Sequence, residues 1–271
     1  MLPPLAQLRR VGLFVRDESQ KYPITQLSRL FSRSGVEMVE LGAQGINRIK
    51  VEDIPLDLII SLGGDGTVIQ ALKQYPEIPT LAINYGNIGF LTQCDEPDLE
   101  KVLFRLLSDD YFIEERLTIE ATIQGQQYRA INEITIKGIA HMTEVEVSVD
   151  QMPLKSIRGD GVIVGTPTGS TAYLMSAGSP IVTPGVSCIV LQPLNEYSFG
   201  SRAMILPGDS SITLCLRDGR ANDVVIVIDG DTRLPFEVGE LVTIHRAKTP
   251  ARLVALDPAY FFKNLHERLP R

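Results

Sequence analysis

The five residues Gly63-Gly64-Asp65-Gly66-Thr67 combine a run of glycines with a single carboxylate. Where glycines end a strand and start a helix, they bring bare backbone N–H groups toward a ligand. The helix N-terminus adds partial positive charge, which suits phosphate. A carboxylate in such a cradle repels the anion unless it has another task. Asp65 can take a proton from a hydroxyl, hold a magnesium ion or bind a ribose hydroxyl. The plainer reading is a tight turn with a solvated Asp at a helix start. Spacing excludes two familiar alternatives. No GxxxxGK[ST] loop occurs, Gly64-x-Gly66 is followed by Ile69 where a dinucleotide fingerprint needs its third glycine, and Gly86-x-x-Gly89 lacks the middle one.

A second cluster comprises Gly159-Asp160-Gly161 and the run Thr166-Pro-Thr-Gly-Ser-Thr-Ala-Tyr173. Its many hydroxyls around Gly169 offer small donors to phosphates and sugars, and the flanking glycines let the Asp160 carboxylate approach a ligand unobstructed. The bland version is a hydroxyl-rich loop with a helix cap. Asn132-Glu133 supplies an amide able to read both edges of a base and a carboxylate able to accept from an amino group, although most such pairs merely end strands. The segment Asn84-Tyr-Gly-Asn-Ile-Gly-Phe90-Leu-Thr92 holds an aromatic, Phe90, that can stack on a base or plug a domain junction.

These residues need elements to position them. The first third alternates as strand and helix: Val11–Val15, a helix over 25–34, Met38–Leu41, a strand Leu56–Leu62 apolar enough to be buried on both faces, and a helix over 68–74. Thr80–Ile83 and a helix over 99–107 with Asp98 near its start continue the pattern. It predicts a parallel, doubly wound sheet whose strand ends carry Gly63–Thr67 and Asn84–Thr92 side by side. From about residue 113 short β-rich runs follow: 118–123, 127–136, 144–149, 161–164, 188–191, 212–216, 224–228 and 241–245. Only 170–176 and 258–269 read as helical there. The expected organisation is an α/β domain over 1–112, a predominantly β, sandwich-like domain over 113–256, and a C-terminal helix 257–271.

Composition narrows the class of function. The 271 residues, 44% hydrophobic and 22% charged, supply enough apolar side chains for two modest cores. A formal charge of −7 offers no global field for nucleic acid or an anionic membrane, so an anionic ligand must meet local N–H groups and a few placed cations. The three cysteines and three histidines are scattered without ligand spacing, so no protein motif for a metal is expected. No stretch approaches the ~18 apolar residues of a membrane span, and Arg9, Arg10, Arg16 and Asp17 interrupt the N-terminus. A soluble, cytoplasmic protein is the expectation.

In their order, GGDGT, NxGxxGFLT, NE before apolar β residues, and GDGxxxxTPTGSTAY…S resemble the NAD kinase family over roughly residues 56–182. GGDGT is shared with diacylglycerol, sphingosine and phosphofructokinase-like relatives, whereas TPTGSTAY with the upstream NE is highly specific. The resemblance implies phosphorylation of the adenosine-ribose 2′-hydroxyl of NAD by ATP, giving NADP. It implies Asp65 as general base; NAD binding by Asp65, Gly66, Phe90, Asn132, Glu133, Arg158, Asp160, Thr171, Ala172, Tyr173, Ser176 and Asp229; and ATP phosphate binding by Gly63, Gly64, Gly66 and Thr67. Magnesium would travel with ATP, the C-terminal helix would pack on the first domain, and the chain would form a homotetramer or dimer. Gln70, Asp231 and the stretch Pro193-Leu-Asn-Glu-Tyr-Ser-Phe199 depart from the family pattern. The alternatives are a lipid kinase of the GGDGT superfamily and a non-catalytic NADP(H)-binding sensor. The first leaves TPTGSTAY without a use; the second leaves Asp65 without one.

Overall fold

The computed structural model describes residues 8–15, 24–42, 55–84, 89–92, 94–95, 99–198, 200–218 and 223–268. The expected positions Arg16, Asp17, 85–88, Asp98, Phe199 and 269–271 lie outside them. The chain divides into a first unit, Met1–Glu115 with Ala251–Arg271, and a second, Arg116–Pro250.

The first unit carries β1 (Arg10–Val15), α1 (Ile24–Arg33), β2 (Glu37–Gly42), β3 (Leu58–Gly63), α2 (Asp65–Gln74), β4 (Thr80–Asn84), β5 (Cys94–Asp95), α3 (Leu99–Leu107) and β6 (Phe112–Arg116). Strands β2, β1, β3 and β4 lie side by side in that order and run parallel. All six residues of β3 and all five of β4 are buried, as a sheet covered on both faces requires. Leu13 and Ile60 pack with Leu27 and Phe31 of α1 and Val102 and Leu106 of α3. Phe14 and Ile59 face the other way, against Ala71 of α2. In the register of β3 with β4, Gly63 stands opposite Asn84. The sheet thus brings the exits of both strands to one edge.

The second unit is built from β7 (Ile119–Ile123), β8 (Gln126–Ala130), β9 (Glu133–Gly138), β10 (Thr143–Val149), β11 (Met152–Gly159) and β12 (Gly161–Gly165). A 3₁₀ turn (Thr168–Thr171) and the single-turn α4 (Tyr173–Ser176) follow, then β13 (Cys188–Leu194), β14 (Met204–Pro207), β15 (Ile212–Asp218), β16 (Val224–Ile228), β17 (Thr232–Pro235) and β18 (Leu241–Arg246). One sheet has the order β11-β10-β15-β18-β7-β8, the other β14-β13-β12-β9-β16-β17. Alternate residues of both feed one core. Ile119, Val145, Leu214 and Val242 come from the first sheet, and Ile134, Val162, Leu191 and Ile226 from the second. This is a sandwich.

Three expectations change. The run 127–136 is not one strand: it breaks at Ile131–Asn132, and β8 and β9 belong to different sheets. The helix over 170–176 is a 3₁₀ turn followed by a four-residue helix. The domain boundaries also move. The chain leaves the first unit after Glu115 and returns at Ala251, because β19 (Ala251–Ala255) joins the first sheet beside β4 rather than ending the sandwich. Helix α5 (Tyr260–Arg268) follows it, with Tyr260 and Phe261 buried.

Candidate functional site

The candidate residues form one group on each unit. On the first, β3 ends at Gly63, Gly64 caps α2 in an extended conformation, and Asp65 is the first residue of that helix. A side chain on Gly64 would meet open space, so nothing in the packing of the unit demands glycine there. A ligand passing close to the backbone would. Gly63 is different: a Cβ there would fall on the hydroxyl of Thr67, which is buried over it. Gly66 is exposed in the first turn, where helix N–H groups lack intrahelical partners.

Asp65 is held from the far side of the strand ends. Its Oδ2 accepts the Phe90 N–H at 2.8 Å and its Oδ1 the Leu91 N–H at 3.1 Å. The approach is so close that a Cβ on Gly89 would overlap Asp65 Oδ1. Two N–H donors fix the direction of the carboxylate, and each oxygen keeps a second lone pair. Phe90 itself is 5% exposed, with the Arg268 guanidinium 4.7 Å above its ring. What it offers the site in this structure is its N–H.

On the second unit the centre is the break between β8 and β9. A chain that changes sheets leaves N–H groups without ladder partners. Here Asp229 takes them: Oδ2 accepts from Ile131 at 3.0 Å, and Oδ1 from Asn132 at 2.8 Å and Glu133 at 3.2 Å. Asp229 has φ of 47° and returns its own N–H to the Glu133 carbonyl at 3.0 Å. Its carboxylate is therefore turned to the backbone, and its part in the site is to set the Asn132-Glu133 turn.

The hydroxyl-rich run is mostly self-contained, which changes the reading of it as a row of ligand donors. Thr166 donates from Oγ1 to Ile131 O at 2.6 Å and from its N–H to Asn132 O at 2.8 Å. Ser170 bridges Pro167 O and the Val182 N–H, and Thr171 donates to Thr168 O. Thr168 accepts from the buried Arg116 at 3.2 Å. Gly169 lies against Asn132, whose carbonyl a Cβ would strike. Left facing outward are the Tyr173 and Ser176 side chains, with Thr171 and Ala172 half-exposed.

Glu133 is 6% exposed and its Oε2 has no hydrogen-bond partner. Burial, reinforced by the neighbouring Asp229 charge, pushes its carboxyl up to about 8, although the Tyr173 N–H pulls the other way. It is therefore a neutral acid at pH 7, able to donate as well as accept. Asn132 beside it is 9% exposed.

Asp160 and Arg158 are exposed. The glycines around Asp160 are explained by backbone contact: a Cβ on Gly161, at φ 147°, would overlap Ile136 O, and one on Gly159 would lie 2.6 Å from Leu194 O. Asn195 Nδ2 donates to Asp160 Oδ2 at 2.7 Å, Lys155 pairs with Glu196 at 2.6 Å, and the Tyr197 N–H donates to Arg158 O at 2.7 Å. The unusual stretch from Pro193 is thus tied residue by residue to the β11–β12 turn. Sequence reasoning missed Arg116, which no motif marks, and gave no role to Asn195, although it lies in the departing stretch. Among the described residues no group of three or more His, Cys, Asp or Glu could hold a metal, and no helix is long and apolar enough to cross a membrane.

Two outcomes follow. Asp229→Ala strands the N–H groups of 131–133 and lowers unfolding stability by roughly 3 kcal/mol or more, read by denaturant unfolding. Glu133 stabilises the fold fully below its unfolded value of 4.5, and that contribution fades as pH rises toward about 8. Relative to Glu133→Gln, wild type should lose up to about 1.4 kcal/mol per pH unit across that window. A difference between the two that stays flat from pH 5 to 8 would mean that Glu133 is ionised throughout.

Comparison with known proteins agrees on one family. The ATP-NAD kinase N-terminal domain matches residues 46–111 and the ATP-NAD kinase C-terminal domain residues 131–256. An NAD kinase of Wolinella succinogenes is 33% identical, covering 99% of this chain and 97% of its own. One of Gemmatimonas aurantiaca is 36% identical, covering 80% and 78%. Among solved structures, an Archaeoglobus fulgidus NAD kinase in complex with ATP superposes with a TM-score of 0.80 at 26% identity, covering 95% of this chain and 97% of that one. Yeast NADH kinase complexed with NADH reaches 0.83 at 23%, covering 96% and 87%, and supports the fold alone. The chain belongs to the ATP-NAD kinase family.

Proposed function

We propose that this chain transfers the terminal phosphoryl group of ATP to the 2′-hydroxyl of the adenosine ribose of NAD, giving NADP, with Asp65 as the general base. The observation that carries the reading is the Asp65 carboxylate, fixed by the Phe90 and Leu91 N–H groups at the start of α2 and next to a Gly64 that the fold itself does not require. Phosphoryl transfer asks for little covalent work by the protein, so positioning and electrostatics dominate. The N–H groups of the first turn of α2, at Gly64 to Gly66, which no carbonyl of the helix itself can reach, face the phosphates. A carboxylate among them is tolerated because it is the group that accepts the hydroxyl proton. Asn132, neutral Glu133, Asp160, Tyr173 and Ser176 contact NAD, with the 171–173 backbone and Arg158 alongside. A neutral Glu133 binds hydroxyls and amides without adding negative charge near a dinucleotide that already carries two phosphates.

Magnesium belongs with ATP in this reading, carried on its phosphates. Bound to the phosphates, it neutralises charge there. A cytoplasmic, soluble homo-oligomer using neither nucleic acid nor membrane goes with the same reading.

A positioned base contributes ~10²–10⁴-fold to rate. Asp65→Asn should therefore lower kcat for NADP formation by at least roughly 100-fold, with the circular dichroism spectrum retained and the thermal midpoint somewhat lowered, because the amide nitrogen put in place of one oxygen meets a backbone N–H donor. Near-normal turnover in that variant would remove Asp65 from the role of base.

A further inference from the structure

Helix α5 carries a residue that no motif singles out. Asn264 Nδ2 donates to Gly89 O at 3.0 Å and to Thr92 O at 3.2 Å. These carbonyls are the two ends of the turn whose middle N–H groups, from Phe90 and Leu91, hold Asp65. The Gly89 N–H donates to Thr92 Oγ1 at 3.2 Å, closing the same turn from within. Both hydrogens of one amide nitrogen are thus committed to the turn.

The helix that presents Asn264 is itself anchored. Tyr260 is buried and its hydroxyl donates to Glu114 Oε2 at 2.8 Å. Arg268, one turn beyond Asn264 on the same face, lies over the Phe90 ring. Residues 260, 264 and 268 form one stripe at i, i+4 and i+8, and each touches what surrounds the carboxylate or braces the helix. An unbroken chain of hydrogen bonds therefore runs from α5 through Gly89–Thr92 to Asp65, all inside the first unit.

We propose that Asn264 is a positioning residue for the reaction: by clamping both ends of the Gly89–Thr92 turn, it aims the N–H groups that orient the Asp65 carboxylate. The proposal rests on Asp65 being the base. Asn264 touches no substrate. Its effect belongs to kcat rather than to substrate binding, because a turn free to rock lets the carboxylate leave the line of the hydroxyl proton. A misplacement of about 1 Å can cost ~10²-fold in rate.

The test is a double-mutant cycle with Asn264→Asp and Asn264→Leu, both branched at Cγ with the same number of side-chain heavy atoms as Asn; an ionised carboxylate and an isobutyl group are both unable to donate. Each is made in the wild-type and Asp65→Asn backgrounds, and transfer of ³²P from ATP to NAD is followed in single turnovers so that residual rates are measurable. Circular dichroism and NAD affinity report folding, and two chemically different replacements guard against one that fails to fold. In the wild-type background kcat should fall roughly 10- to 100-fold, with KM for NAD and ATP within about twofold. In the Asp65→Asn background the same substitutions should change the residual rate by less than about twofold, because the group being positioned is gone. Equal losses in both backgrounds, an unchanged kcat, or a loss confined to KM would overturn the positioning role while leaving Asp65 as base. An Asp65→Asn enzyme with wild-type turnover would instead remove the base on which the proposal stands.

Discussion

The second unit depends on one carboxylate receiving three backbone N–H groups. A chain passing from one sheet of a sandwich to the other must leave a few N–H groups outside both ladders, and burying them unpaired costs about 1–3 kcal/mol each. At Ile131–Glu133 that cost is removed by Asp229, which sits at φ 47° and answers with its own N–H to Glu133 O. Because the turn is fixed, Thr166 and Gly169 can pack against its carbonyls, and Glu133 can be held buried with one oxygen unpaired. Remove the clamp and each of these contacts loses its reference point.

The first unit uses the same physics with a different remainder. Asp65 also accepts backbone N–H groups, from Phe90 and Leu91. Asp229 accepts three and Asp65 two, and Asp65 stands half-exposed at a helix start, so lone pairs remain for a substrate hydroxyl. Both residues precede a glycine, as Asp65-Gly66 and Asp229-Gly230. The dipeptides look alike in the sequence. One shapes a turn and the other retains the capacity to take a proton, and only the count and direction of N–H donors distinguish them.

Much of this was legible beforehand. Strands β1, β3 and β4 read as buried because their apolar runs are continuous, and the GGDGT turn read as a strand-to-helix junction because glycines follow such a run. What failed had a common cause. The break in 127–136 is marked only by the polar pair Asn132-Glu133 between apolar Ile131 and Ile134, and a pair that ends one strand does not say that the next joins a different sheet. The hydroxyls of Thr166, Ser170 and Thr171 read as ligand donors, yet their partners are carbonyls of the same unit, brought close by tertiary contact. Residues 251–255 fall inside the expected β domain over 113–256 without being read as a strand, and nothing in five residues says which sheet such a strand joins. Asn264 was silent for the same reason: one polar residue on an amphipathic helix has no local signature, and its role lies in carbonyls 175 and 172 positions away.

The reaction assigned to the family converts a ribose hydroxyl into a phosphate monoester at one defined position. The most direct measurement is ³¹P NMR of the product formed by the purified chain from NAD, ATP and Mg²⁺, with coupling to the ribose proton identifying the carbon that carries the new ester. A monoester on the adenosine-ribose 2′ oxygen, together with ADP in equal amount, is the expected result. Phosphate on any other hydroxyl, or tight NADP binding with no monoester formed, would contradict it.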